Sequence, residues 1–305
     1  MYDHILVPTD GSDHAVAAAE YAASLAEVFD ATLHLLTVVD VSAAAGPFSA
    51  GGVDDEYLDR LEREAESAID ALEPAVAGVD AVRSAVVRGT PSDAVLGYTD
   101  ENDVDLVVMG THGRRGLSRY VLGSVAERVV RRSAVPVLTI RAEGAGQSVT
   151  ACEDILVPTD GSGEATAAVA HAVAIAARVG ATVHAVSVVD LGDVATGAEM
   201  GVPPGLVQQL EENAEAAAAA VAEAAADVGV DAVTRVDVGH PANTLLEYVE
   251  DNEVDLVAMG THGRTGLDRV LLGSTAERLV RRAPVPVLTV STRGRTEGGG
   301  DGTAE

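Results

Sequence analysis

At 305 residues the chain has room for two domains of ordinary size, each able to bury its own core. Its 48 acidic and 20 basic side chains leave a net charge of −28, and every basic residue is Arg. That excludes a Schiff-base lysine and a lysine-bearing Walker phosphate loop, and it makes nucleic acid and anionic lipid poor partners for so negative a surface.

The chain order of elements is legible from hydrophobic periodicity and turn residues. Ile5 to Thr9 is a short β-branched run that stops at Asp10-Gly11, and Val16, Ala19, Ala23 and Ala26 then recur at helical spacing. Thr32 to Val38 reads as a second strand. A Gly- and Ala-rich loop from Ser42 to Val53 leads into a charged helix from Asp54 to Leu72. Val82 to Val87 is a third strand, followed by a helix with Thr90 as its cap and Pro91 in first position. Leu106 to Met109 is a continuous apolar run of the kind buried on both faces. Ser124-x-x-Glu127 has the pattern of a capping box, and Val135 to Ile140 is the last strand.

This whole pattern then repeats. Ile5-Leu6-Val7-Pro8-Thr9-Asp10-Gly11-Ser12 recurs 150 positions later as Ile155-Leu156-Val157-Pro158-Thr159-Asp160-Gly161-Ser162, and Gly110-Thr111-His112-Gly113 recurs as Gly260-Thr261-His262-Gly263. Between Gly110 and Arg128, 14 of 19 positions match their counterparts, against 6 of 35 between Val41 and Ala75, so the first stretch is constrained and the second has drifted. The boundaries follow: a first domain over 1–141, a linker over 142–152, a second domain over 153–291 and a Gly-rich tail over 292–305 that is expected to be disordered.

Alternating strands and helices imply an α/β fold, two tandem open parallel sheets with helices on both faces. In such sheets ligands bind beyond the carboxyl ends of the strands where the winding reverses. The glycines after the fourth strand, with Gly123-Ser124 and Gly273-Ser274 at the start of the next helix, let main-chain amides approach an anion and offer a phosphate site without lysine. Asp10 either caps the first helix or faces a ligand. His112 and His262, between glycines, read as solvent-exposed loop imidazoles or as contacts of a phosphate or metal, His34 and His184 as hydrogen-bonded core histidines, and Arg114 and Arg264 as the nearest cations to a bound phosphate.

On these motifs the chain resembles two tandem universal stress protein domains. G-x2-G-x9-G-[ST], present in both halves, marks the ATP-binding branch of that family, and the shared opening octapeptide, Val38-Val39-Asp40 and Gly89-Thr90-Pro91 add to the likeness. The resemblance implies an adenine nucleotide hydrolase-like, Rossmann-like fold with strand order 3-2-1-4-5 and a site in each half. In the first, Pro8, Thr9 and Asp10 line the crevice, Val38 meets the adenine, and Gly110, Gly113, Gly123, Ser124 and Val125 hold ribose and phosphates. In the second, Pro158, Thr159, Asp160, Val188, Gly260, Gly263, Gly273, Ser274 and Thr275 do the same. Asp10 and Asp160 would hold Mg²⁺. It also implies that the apolar terminal strands pair the two halves as an internal pseudo-dimer, with a homodimer of tandem chains left open.

The implied role is a nucleotide-dependent stress-response or signalling module. The alternatives are a slow Mg-dependent ATPase and a chaperone-like interaction protein with vestigial sites. No nucleophile with an adjacent base and no metal-ligand cluster appears in the sequence.

Three further features are compositional. Acid excess with small apolar side chains fits adaptation to concentrated salt, while a GC-rich genome would account for the missing Lys. Cys152 stands alone, so it forms no internal disulfide and reads as an unreactive thiol. The start Met1-Tyr2-Asp3-His4 has no basic signal region and no apolar run reaches the ~18 residues of a membrane span, so a cytoplasmic protein is expected.

Overall fold

The computed structural model describes residues 1–40, 55–113, 122–141, 146–192, 204–263 and 272–292. The first half runs β1 (His4–Thr9), α1 (Asp13–Phe29), β2 (Thr32–Val39), α2 (Asp55–Asp70), a short α3 (Glu73–Val76), β3 (Val82–Arg88), α4 (Pro91–Glu101), β4 (Leu106–Gly110), α5 (Ser124–Arg132) and β5 (Val137–Ile140). The second half repeats it as β6 (Asp154–Pro158), α6 (Gly163–Val179), β7 (Thr182–Val189), α7 (Pro204–Ala226), β8 (Ala232–Val238), α8 (Pro241–Asp251), β9 (Leu256–Gly260), α9 (Ser274–Arg282) and β10 (Val287–Val290).

All ten strands form one sheet in the order β3-β2-β1-β4-β5-β10-β9-β6-β7-β8. Within each half the pairing is parallel and the order is 3-2-1-4-5, as the family resemblance implies. The halves meet through the antiparallel pair β5 and β10, with Leu138 opposite Leu288. The expected internal pseudo-dimer is therefore a continuous sheet, and the two apolar strands that would have been open edges cover each other.

Helices fill both faces. On one, Leu25, Tyr21 and Ala22 of α1 share a single apolar cluster with Ala172, Ile175 and Ala176 of α6, so the core crosses the boundary between the halves. On the other, α5 and α9 lay Val129, Val130, Leu279 and Val280 against Leu6, Leu156, Val107 and Val257. Cross-half polar contacts reinforce the first face: Tyr2 and His171 hydrogen-bond at 2.8 Å, and Arg178 donates to the carbonyl of Val28 at 3.0 Å.

Several local expectations change. Asp10 does not cap α1; Ser12 does, its Oγ accepting from the Ala15 N–H, and Asp10 Oδ1 accepts from the Ser12 N–H at 3.1 Å. The capping box at Ser124 does not form: Gly123 is the N-cap and makes no side-chain cap, which leaves Ser124 as the first helical residue. β5 starts at Val137, two residues later than expected, because Pro136 has no N–H to give to the ladder; its carbonyl instead accepts from Val107. The linker is not merely loose chain. Val149–Ala151 is a 3₁₀ turn whose Val149 is fully buried, its N–H donating to Ser24 Oγ of α1 at 3.0 Å. Cys152 follows, buried, and desolvation reinforced by Asp255 and Asp154 pushes its thiol up to about 12.

The expected core histidines are in place. His34 is fully buried, bonded to Tyr98 at 3.0 Å and to His4 at 3.1 Å, and burial with His4 and Arg83 nearby lowers its pKa. His184 bonds Tyr248 at 2.8 Å and Asp154 at 2.7 Å. No described helix is long and apolar enough to cross a membrane.

Candidate functional site

Winding reverses between β1 and β4, and again between β6 and β9, because α1 and α4 carry the chain to opposite faces. At the carboxyl ends of those strands lies a cavity in each half, about 930 Å³ in the first and about 750 Å³ in the second. The first is lined by Pro8, Thr9, Asp10, Val38, Gly110, Gly113, Gly123, Ser124 and Val125. The second is lined by Pro158, Thr159, Asp160, Val188, Gly260, Gly263, Gly273, Ser274 and Thr275. Every candidate site residue thus stands on a cavity wall, and each half collects its own nine.

The turn after β1 is shaped by local hydrogen bonds. Gly11 takes a φ of 74°, left-handed backbone that glycine adopts without strain, and its N–H donates to Thr9 Oγ1 at 3.0 Å. Gly161 has a φ of 75° and the same bond to Thr159 at 3.2 Å. This turn aims the carboxylate of Asp10 at the turn after β4 and that of Asp160 at the turn after β9. A Cβ on Gly113 would stand 2.4 Å from Asp10 Oδ2, and one on Gly263 would stand 2.6 Å from Asp160 Oδ2.

The second turn is closed against its helix by the main chain. Gly123 N–H donates to the Thr111 carbonyl at 2.8 Å and Gly273 N–H to the Thr261 carbonyl at 2.9 Å. A Cβ on either glycine would stand 3.1 Å from that carbonyl oxygen, a tight contact that the bare glycine avoids. The first residues of α5 and α9 line the cavities, so each cavity has a helix N-terminus, the positive end of a helix dipole, on its wall.

Gly110 and Gly260 serve packing from below: an added Cβ would meet His14 Cβ at 2.7 Å, or the Glu164 carbonyl carbon at 2.8 Å.

His112 and His262 are not solvent-exposed. Each ring turns under its own loop, Nδ1 lying 3.0 Å from Thr111 or Thr261 Oγ1, and each Nε2 is shut away from solvent without a hydrogen-bond partner. Arg114 and Arg264 lie outside the described residues. Arg128 and Arg278, which the sequence reading passed over, stand on the cavity walls instead. The signal was present, since Arg128 follows Ser124 by four residues and shares its helix face. Among the described residues no group of three or more His, Cys, Asp or Glu could hold a metal unaided.

A family model described as the universal stress protein family matches residues 1–141 and 152–291, nearly the whole chain. The chain belongs to the universal stress protein family. Its tandem build is shared with relatives of similar length. A universal stress protein of Mycolicibacterium smegmatis is 30% identical over 310 residues, covering 95% of this chain and 97% of its own. One from Mycobacterium tuberculosis is 32% identical over 295 residues, covering 93% and 95%. A Methanocaldococcus jannaschii member is 40% identical over 143 residues, 46% of this chain and 83% of its own. The crystal structure of an Archaeoglobus fulgidus universal stress protein superposes with a TM-score of 0.70 at 23% identity, over 95% of this chain and 98% of that one, the same fold throughout.

Proposed function

We propose that each half of this universal stress protein binds one ATP at the mouth of its sheet, and that the chain works as a nucleotide-dependent stress-response module. The observation that carries the reading is the Gly-bounded turn after β4 and β9, closed by the Gly123 and Gly273 amides onto a helix start that faces the cavity. A cradle of main-chain donors suits a phosphate tail in a chain with no lysine. Val38 and Val188 supply the apolar wall for the base. Asp10 and Asp160 suit a Mg²⁺ ion that takes one carboxylate from the protein and its other ligands from phosphates and water. The residues fit such an ion only in company with the nucleotide.

Binding without rapid turnover is the reading favoured, because a cradle of main-chain amides holds a phosphate tail without itself activating water. Mass spectrometry of small molecules released from freshly purified protein, together with thermal denaturation with and without ATP, tests the proposal. ATP should raise the melting midpoint, since a ligand at 100 times its Kd adds about 2.7 kcal/mol to a folded state that alone binds it. Protein that carries no adenine nucleotide and melts at the same temperature in its presence would leave a chaperone-like scaffold. Phosphate release in a single turnover, lost in the Asp10→Ala, Asp160→Ala double variant, would instead make it a slow ATPase.

A further inference from the structure

Among the described residues, the two halves differ in charge at the position packed against the base of the turn after β4 and β9. Residue 14 of the first half is His, and its counterpart 150 positions later is Glu164. Both open their helix against the glycine that ends β4 or β9, near enough to bar a Cβ there.

In the second half Glu164 Oε2 accepts three hydrogen bonds from the turn: from Thr261 Oγ1 at 2.9 Å, from the His262 main-chain N–H at 2.7 Å, and from His262 Nδ1 at 3.1 Å. A carboxylate has thus taken an anion position at a main-chain amide of the loop that would receive phosphate. In the first half the corresponding neighbours are imidazoles. His14 Nδ1 lies 3.5 Å from Thr111 Oγ1, and the His14 and His112 rings stand 5.1 Å apart.

His262 faces this carboxylate through Nδ1, while its Nε2 is buried and without a hydrogen-bond partner. Exchanging Glu for His removes one negative charge whatever the proton count of the imidazole.

Within 114–121, outside the described residues, Arg115 and Ser118 stand where the second half has Thr265 and Asp268, so the contribution of Glu164 is isolated by changing it alone. Glu64 lines only the first cavity, from α2, the helix packed on β2 and β3, and His240, which replaces Thr90, starts α8 at the end of β8.

We propose that the two sites sort ligands by phosphate charge: the first accepts the highly anionic triphosphate, and the second, with Glu164 beneath its cradle, disfavours it relative to nucleotides with fewer phosphates. This rests on the nucleotide-binding reading above. Glu164 is a positioning and specificity residue acting through the turn, and its carboxylate charge is the discriminating feature.

Glu164→Gln is the decisive variant, because it keeps an oxygen acceptor for the same turn and drops the charge. Calorimetric titrations of the full chain, with the first site silenced by Gly123→Val, would compare AMP, ADP and ATP at low ionic strength. The charge account expects Gln to tighten ATP about tenfold, ADP by less and AMP least. In the wild-type chain ATP should bind in two classes, and His14→Glu should weaken the tighter one.

The same factor for all three nucleotides, or no tightening of ATP, overturns the proposal, since a latch that only shapes the loop would act on every ligand alike. A wild-type chain that takes up none of the three overturns the nucleotide reading itself, and this inference with it.

Discussion

Leu138 of β5 lies directly opposite Leu288 of β10, so the seam between the halves joins a position to its own repeat. Two threonines flank it with reciprocal bonds: Thr139 Oγ1 donates to the Val287 carbonyl and Thr289 Oγ1 to the Val137 carbonyl, both at 3.1 Å. Both side chains are buried, where such a bond is worth about 1 kcal/mol net. Thr139→Val and Thr289→Val should each lower stability by about 1 kcal/mol in denaturant titrations, and the double variant by about 2 kcal/mol. Unchanged midpoints would mean the seam is held by the leucines alone.

Gly110 and Gly260 are expected to be the least replaceable glycines of the site for stability. An alanine at Gly110 drives its Cβ to 2.9 Å from the backbone carbon and oxygen of His14, and backbone cannot move aside as a flexible side chain can. Overpacking of this kind costs roughly 1–3 kcal/mol. A Gly110→Ala chain that melts with the wild type would contradict this packing.

Burial sets the chemistry of Cys152. With its thiol held near 12, roughly one molecule in ten thousand carries a thiolate at pH 8, about a thousandfold fewer than for a free cysteine. Iodoacetamide at pH 8 should leave the folded chain unmodified and label it promptly in denaturant. Rapid labelling of the native protein would show that the 149–151 turn opens readily.

The lowered pKa of His34 links stability to pH. In the unfolded chain this ring titrates near its ordinary value of 6.5; in the fold it resists protonation because it is desolvated and lies beside His4 and Arg83. Below 6.5 the unfolded state therefore binds more protons, and the contribution of His34 is full above that pH and lost as pH falls toward its lower folded value. His34→Gln should flatten the loss of stability between pH 7.5 and 5.5 relative to wild type. Equal slopes would place the acid sensitivity elsewhere.

Much of this was legible in the chain. The octapeptide and Gly-Thr-His-Gly repeats supply residues that line a cavity in each half, at the carboxyl ends of the strands. What escaped was mostly tertiary. His112 looks exposed between two glycines, yet its ring folds under the loop, and only the position of α1 shows why. Glu164 reads as one more first-turn acid until its three bonds to Thr261 and His262 are seen. Ser124 was expected to cap its helix, but Gly123 approaches the Thr111 carbonyl so closely that the cap shifts back by one residue.

The most direct measurement is the number of ATP molecules bound per chain, by isothermal titration calorimetry on the full-length protein. Two per wild-type chain are expected, and one after Gly123→Val, whose branched side chain would crowd the Thr111 carbonyl where the first cradle closes. Zero uptake by the wild type, or two per chain in the variant, would contradict a main-chain cradle at the mouth of each sheet.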